Sequence, residues 1–309
     1  MRIALTGATG FVGRAVVSEF MGDDHSLTAL VRNAANTKLP IDVRLVTGAF
    51  ENAKSLDELM HGADVVIHIA GAITAISRDQ YFMANQLGTR QVAEAAARNG
   101  VRRFVHISSL SAREPQLSAY GASKSAGEKV LEEFSNGMSI VILRPPAVYG
   151  PGDKATLPLL KALTQKYAFL PGVAPARFSL IYVADLARII VEAAGSAKTG
   201  TFELDDGKPA GYDWKELAQM ASRHEQKIIV PIFFPKVVLL ALACVVELAA
   251  KLSRRAAMIS RDKIRELYHP DWVASGAGWP LKNPVGFAQG FATTVQWYRQ
   301  NGWLPNKRA

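Results

Sequence analysis

Tyr120-Gly-Ala-Ser-Lys124 sets a phenol and an amine four residues apart, in a stretch whose apolar spacing (121–134) is helical. That spacing puts both side chains on one face of a helix. A phenol with an ordinary pKa of about 10 is a poor base at neutral pH. An ammonium beside it favours the phenolate, so the pair could pass a proton to or from a hydroxyl. Ser108 and Ser109 follow the apolar run 104–107. A hydroxyl at such a strand end can donate to a carbonyl or an alkoxide. Without chemistry, the same residues are two exposed positions on a helix and an ordinary polar strand end, and the spacing alone leaves that reading open.

The elements that must position these groups begin at residue 1. An apolar run at 3–5 enters a turn with Gly7, Gly10 and Gly13 spaced three apart, and a helical pattern follows at Phe11, Val12, Ala15, Val16 and Phe20. Strand, glycine turn and helix start are the context of a dinucleotide site. Gly7 permits the turn, Gly10 lets backbone approach a pyrophosphate, and Gly13 lets helix pack on strand. The turn places Thr9, Phe11 and Val12 beside the helix N-terminus, whose N–H groups favour phosphate. The positive charge of an oxidised nicotinamide would add to that of Lys124 in favouring the Tyr120 phenolate.

Further strands are expected at 27–31, 44–47, 65–69, 103–107, 139–143 and 179–183, with helices at 12–21, 56–61, 81–99, 121–134 and 185–194. Such alternation predicts an α/β fold, a doubly wound, mostly parallel sheet of the Rossmann type with a small C-terminal substrate lobe. Prolines 151, 158, 171 and 175 break the pattern and read as an inserted helix and loop. The expected division is 1–157 plus 177–200 for the dinucleotide-binding domain and 158–176 plus 201–309 for the lobe, with the ligand crevice at the carboxyl ends of the strands.

The chain has 309 residues, 49% of them hydrophobic, a net charge of +9 and one cysteine. Cys244 excludes an intrachain disulfide and a cysteine-based metal site, and its apolar surroundings suggest packing. No signal-peptide pattern opens the chain, so a cytoplasmic protein is the expectation. The positive balance favours anionic ligands or surfaces. Basic residues are mostly scattered and no nucleic-acid-binding motif accompanies them, so nucleic acid is not an expected partner. The expected partner is a small-molecule substrate.

The second strand ends Leu30-Val31-Arg32-Asn33. NAD sites often carry an acidic residue here for the ribose 2′-hydroxyl. A guanidinium favours a 2′-phosphate instead, so NADP is preferred to NAD as cofactor.

As a set, TGATGFVG at 6–13, IAGA at 69–72, NxxGT at 85–89, SS at 108–109, YxxxK at 120–124 and RPPAVYGPGD at 144–153 resemble the short-chain dehydrogenases/reductases of the extended type, the NAD(P)-dependent epimerase/dehydratase family. The likeness covers about residues 1–190, and 290–305 resembles the family's terminal helix. It implies that Tyr120 is the acid/base, that Lys124 holds the nicotinamide ribose and tunes Tyr120, and that Ser109, the second serine of its pair, orients the substrate oxygen. Asn85 would brace the site; Ala70, Gly71, Pro146, Ala147 and Val148 would line the cofactor. Hydride would pass between nicotinamide and a secondary alcohol or ketone, alone or within an epimerase or dehydratase cycle. Two departures stand out. The family's Gly-Asp-Leu after the third strand reads Gly48-Ala49-Phe50, and only ten residues separate Ser109 from Tyr120. The short spacing resembles atypical members that bind cofactor without known turnover, so a non-catalytic NADP-binding subunit or redox sensor is the alternative.

Residues 228–252 read IIVPIFFPKVVLLALACVVELAAKL, with ten uncharged residues at 237–246. A spanning helix needs about 20. The first expectation is a lobe helix over the substrate cleft, the second an interfacial helix and the third a true span. Lys251, Arg254, Arg255, Arg261, Lys263 and Arg265 keep peripheral membrane contact through 236–265 open; a homodimer is also left open. The apolar stretch suggests a greasy substrate rather than a nucleotide sugar. Arg177 lies one position from where sugar-nucleotide enzymes of the family carry a diphosphate-binding arginine.

Overall fold

The computed structural model describes residues 1–22, 24–35, 37–253, 260–275 and 278–306, and side chains up to 247 and from 260 onward. Arg254 and Arg255 of the basic cluster lie outside the described residues, as does the side chain of Lys251. The chain divides into two compact units, 1–144 with 186–202, and 145–185 with 203–309.

In the first unit, β1 (Arg2–Thr6), β2 (Ser26–Val31), β3 (Arg44–Thr47), β4 (Val65–His68), β5 (Arg103–Ile107) and β6 (Ser139–Arg144) pair in parallel in the order 3-2-1-4-5-6. Helices α1 (Phe11–Phe20), α2 (Ala53–Met60), α3 (Arg78–Phe82), α4 (Gly88–Arg98) and α5 (Ala119–Glu132) connect them. Between α3 and α4 the backbone widens to a π-helical turn, Met83–Leu87, so that Arg78–Arg98 is one helix with a bulge. Strands β4 and β5 are buried at every residue, as sheets covered on both faces require. One layer of the core joins Leu56 and Leu59 of α2, Val92 and Ala96 of α4, and Phe104 of β5. Strand order reverses between β1 and β4, the switch point where such sheets bind ligands. This is the doubly wound parallel sheet expected from the alternation.

The second unit opens with β7 (Ala147–Tyr149), α6 (Leu157–Ala162), β8 (Tyr167–Leu170), β9 (Arg177–Phe178) and β10 (Leu180–Tyr182). From it α7 (Val183–Gly195) leads back to the first unit and to β11 (Gly200–Glu203), the strand beside β6. The remainder is α8 (Trp214–Glu225), β12 (Val230–Phe233), α9 (Lys236–Ser253), α10 (Arg261–Leu267), β13 (Asp271–Trp272) and α11 (Phe287–Gln300). Three parallel two-stranded ribbons, β7·β10, β8·β12 and β9·β13, surround a core of Tyr149, Leu170, Trp214, Phe291 and Tyr298. An Asp213–Glu216 capping box starts α8.

The unit boundaries fall at 144/145, 185/186 and 202/203, whereas the sequence reading put them at 157/158, 176/177 and 200/201, so the last lies within two residues of its expected place and the first two are displaced. The reason is strand pairing. The run at 179–183 forms β10, which pairs with β7 and not with the large sheet, so both strands belong to the second unit. The seventh strand of the large sheet is β11, where no strand was expected.

Candidate active site

The glycine turn is built by close backbone approach at the switch point. Gly7 has φ +81°, and a Cβ there would lie 2.6 Å from the Ala70 nitrogen just past β4. A Cβ on Gly13 would lie 2.0 Å from the Gly7 carbonyl oxygen. Gly10 is the N-cap of α1, with no side-chain cap, so the first-turn N–H groups remain available to a ligand. Thr9 is exposed and Phe11 and Val12 half-buried on that first turn. A side chain would fill this cradle, and a pyrophosphate fits its donors. Arg32 is exposed one residue past β2, and no described hydrogen bond or ion pair engages it.

Helix α5 is started by Ser118, whose hydroxyl accepts from the Gly121 N–H at 2.8 Å. Tyr120 lies half-buried in its first turn and Lys124 buried one turn on. The Lys124 Nζ donates to the Ile107 carbonyl at 2.7 Å, pinning this face of α5 to the carboxyl end of β5. Burial pulls the Lys124 ammonium down to about 8, while the Glu128 carboxylate pushes the other way. Ser109 follows β5 by two residues and caps a 3₁₀ turn, Leu110–Arg113; its Oγ accepts from the Ser111 N–H at 3.2 Å. The neighbouring serine has a different task. Ser108 Oγ donates to Glu128, which also takes two bonds from the Arg144 guanidinium, at 3.0 and 2.6 Å.

Asn85 sits in the π turn. Its Nδ2 donates to Ser123 Oγ at 2.9 Å and to the Ala72 carbonyl at 3.0 Å, while its Oδ1 accepts from the Ala72 N–H at 2.8 Å. Ser123 Oγ in turn donates to the Tyr120 carbonyl at 2.8 Å. Asn85 thus ties the backbone after β4 to the first turn of α5. Gly71 makes room for it: a Cβ there would lie 2.6 Å from Asn85 Oδ1.

Under this layer, two imidazoles stack on adjacent central strands, His68 of β4 and His106 of β5, with centroids 5.4 Å apart. His68 Nδ1 meets Thr6 Oγ1 at 2.7 Å and its Nε2 meets Thr89 Oγ1 at 3.2 Å. Neither ring nitrogen of His106 finds a hydrogen-bond partner among the described residues. Burial pulls His68 from 6.5 down to about 3 and lowers His106 as well, with the Lys124 charge a further cause for each. A folded-state value below the unfolded one means stability that is whole above pH 6.5 and is lost as pH falls toward 3. At pH 5 the loss from His68 is about 2 kcal/mol. His106→Phe removes one such group together with an unsatisfied buried N–H, itself worth about 1–3 kcal/mol. Thermal melts should therefore show the variant at least as stable as the parent at pH 7.5 and more clearly so at pH 5. A variant less stable than the parent at both pH values would contradict this.

The structure brings Gly7, Gly10, Gly13, Ala70, Gly71, Asn85, Ser109, Tyr120 and Lys124 together at the carboxyl ends of β1, β4 and β5 in the first unit. Pro146, Ala147 and Val148 belong to the second unit, before and within β7. Phe50, next to Ala49 where the resemblance expected an aspartate, lies edge-on to His68 at 5.6 Å. Ser123, Glu128 and the two histidines carried no recognisable spacing, and Arg144 was read only as the first residue of the 144–153 motif, with no role assigned to it. The parallel registers of β4 with β5 and of β5 with β6, together with the 3.6-residue stripe of α5, bring them into contact.

Arg177, in the second unit, donates to the Ala210 and Gly211 carbonyls at 2.7 and 3.0 Å and lies 3.5 Å from carboxylate oxygens of Asp213 and Glu216. Its guanidinium holds the start of α8 in place. Cys244, expected to be packed, is exposed on α9.

A model of the NAD-dependent epimerase/dehydratase family matches residues 3–203. A ceramide reductase of Caulobacter vibrioides is 38% identical, over 98% of this chain and 96% of that protein. A 4-hydroxy-2-methyl-3-oxo-4-farnesyl-3,4-dihydroquinoline-1-oxide ketoreductase of Stigmatella aurantiaca is 31% identical, over 68% of this chain and 69% of that protein. Among solved structures, a UDP-glucose 4-epimerase from Thermotoga maritima superposes with a TM-score of 0.73 at 18% identity, covering 97% of this chain and 99% of that one.

Proposed function

Because the chain belongs to the NAD-dependent epimerase/dehydratase family, whose members are NAD(P)-dependent reductases and epimerases, we propose that it reduces the ketone of a long-chain, lipid-like substrate with NADPH. The observation that carries the chemistry is the Lys124–Ile107 bond, which fixes the Tyr120 face of α5 to the strand end that Ser109 follows. The bound dinucleotide supplies the hydride. Ser109 donates a hydrogen bond to the ketone oxygen and draws off charge as the C–O bond loses its double-bond character. Tyr120 gives its phenolic proton to that oxygen, which completes the alcohol. The Lys124 ammonium stabilises the phenolate left behind, and Asn85 and Ser123 hold the helix turn on which Tyr120 sits.

The ketone of an apolar substrate is favoured over a nucleotide sugar for two reasons. The relative that matches nearly the whole chain is named a ceramide reductase. Arg177, one position from where sugar-nucleotide enzymes of the family carry a diphosphate-binding arginine, has its guanidinium already taken by two carbonyls and two carboxylates. The test is oxidation of NADPH on addition of a ketone-bearing ceramide-like amide, against a UDP-sugar panel. Turnover of a UDP-sugar with none of the amide ketone would overturn the substrate reading.

Arg32 supports NADPH over NADH. Arg32→Asp should weaken NADPH binding by about tenfold to a hundredfold, the worth of a charge-assisted contact, and leave NADH binding little changed. Fluorescence titration reads both. Equal affinities of the parent for the two cofactors would refute the preference.

A further inference from the structure

We propose that the outer face of β8, β12 and α9 docks on a lipid bilayer bearing anionic headgroups. Strand β8 alternates sharply: Tyr167 and Phe169 point outward at 51% and 53% exposure, while Ala168 and Leu170 are fully buried. Its partner β12 matches Val230 to Tyr167 and Ile232 to Phe169, so both strands turn apolar side chains to the same side. Phe234 stacks on Phe169 with centroids 5.5 Å apart and carries the surface on to α9. On α9, Leu239, Leu240 and Ala243 pack against Ile264 and Tyr268. The opposite side is apolar too: Val237 is 76% and Val245 66% exposed, with Val238 and Leu242 between them. A helix on the surface of a globular unit ordinarily turns polar residues outward. A continuous apolar face of this kind marks an interaction site.

Charge decides the occupant. The segments 166–170 and 227–246 contain Lys166, Lys227 and Lys236 and no acidic residue. Lys166 lies over the Tyr167 ring at 5.5 Å, and Lys236 over the Tyr268 ring at 6.0 Å. The next acid, Glu247, is taken by Arg261 at 2.9 Å. Exposed aromatics with a lysine rim suit the headgroup boundary of an anionic leaflet, where the rings sit in the interface and the ammoniums meet phosphate. A second copy in a two-fold interface would bring the same lysines against themselves. No helix among the described residues is long and apolar enough to cross a membrane, so α9 would lie in the plane of the interface. An open groove of about 540 Å³ beside Phe234, lined by Val173, Phe233, Pro235 and Tyr268, continues the apolar surface inward.

The proposal stands apart from the reaction, and its test uses the full chain without substrate. The parent is expected to co-sediment with phosphatidylcholine vesicles containing about 30% phosphatidylglycerol, and at least about tenfold less with phosphatidylcholine alone or in about 0.5 M NaCl. Phe169→Ser with Val237→Ser should cut binding by about tenfold. Both sites are exposed, so the melting temperature should stay within about 2 °C of the parent. Two results would overturn the proposal: a parent that does not bind the anionic vesicles, or a folded double variant that binds them as well as the parent. A parent dimer that the double variant dissociates, with no vesicle binding by either, would assign the face to a second copy and overturn it equally.

Discussion

Tyr120→Phe is expected to bind the dinucleotide as the parent does and to reduce ketone about a thousandfold more slowly. The variant keeps the ring, so the contact with Tyr81, whose ring lies 6.2 Å away, survives. It keeps Lys124, whose bond to Ile107 holds α5 on β5. What is lost is one proton, at the step where the ketone oxygen must receive it, and general-acid help of this kind contributes about 10²–10⁴-fold. The effect should fall on kcat, because the phenolic proton moves only as the carbonyl is reduced. Lys124→Met should differ in kind, weakening cofactor binding and turnover together. The discriminating measurement is single-turnover reduction at saturating NADPH, with cofactor affinity read separately. A Tyr120→Phe enzyme within about threefold of the parent would leave the non-catalytic reading in possession of the field.

Gly13→Ala should be the most damaging small substitution in the first unit. Its Cβ would meet the backbone of the glycine turn, the Gly7 oxygen at 2.0 Å and the Ala8 Cα at 2.8 Å, and neither can rotate away. Either α1 lifts off β1 or the Gly7 turn opens, and both unmake the cradle. Overpacking against backbone costs about 3 kcal/mol, which for a unit of this size lowers the melting temperature by about 10 °C. Dinucleotide binding should fall with it. Gly10→Ala provides the contrast: its nearest backbone contact is 3.2 Å, and the residue is exposed at the helix start. That variant should melt close to the parent while losing affinity, because the added methyl occupies space meant for phosphate. Calorimetry and cofactor titration on the pair separate the two roles. A Gly13→Ala protein with the parent's melting temperature would refute the packing argument.

The sequence declared those glycines because their spacing encodes a backbone conformation, and backbone constraints are local. The same holds for Tyr120 and Lys124, four residues apart on one helix, and for the β1–β6 strands, each announced by its own apolar run. The Ser108–Glu128–Arg144 set and the His68–His106 stack were not legible, since each joins residues from separate elements and depends on strand register. Boundaries failed where a strand chose an unexpected partner, as β10 did in pairing with β7. The β8 face was hidden for another reason. Its four residues, YAFL, lie in a proline-punctuated stretch that reads as helix and loop, too short for alternation to register.

The π turn at Met83–Leu87 makes this stretch intolerant of a change in length. Asn85, Thr89, Val92 and Ala96 form one α-helical stripe, all buried, and the extra residue in the wide turn sets how α3 is rotated against it. Deleting any one residue between 83 and 87 would close the turn to an ordinary helix and swing α3 by about 100°. Tyr81 would leave the ring of Tyr120, although no residue in contact with substrate had been altered. Related chains should therefore tolerate substitutions here more readily than gaps, and an alignment that opens a gap at these positions would mark a site built differently from this one.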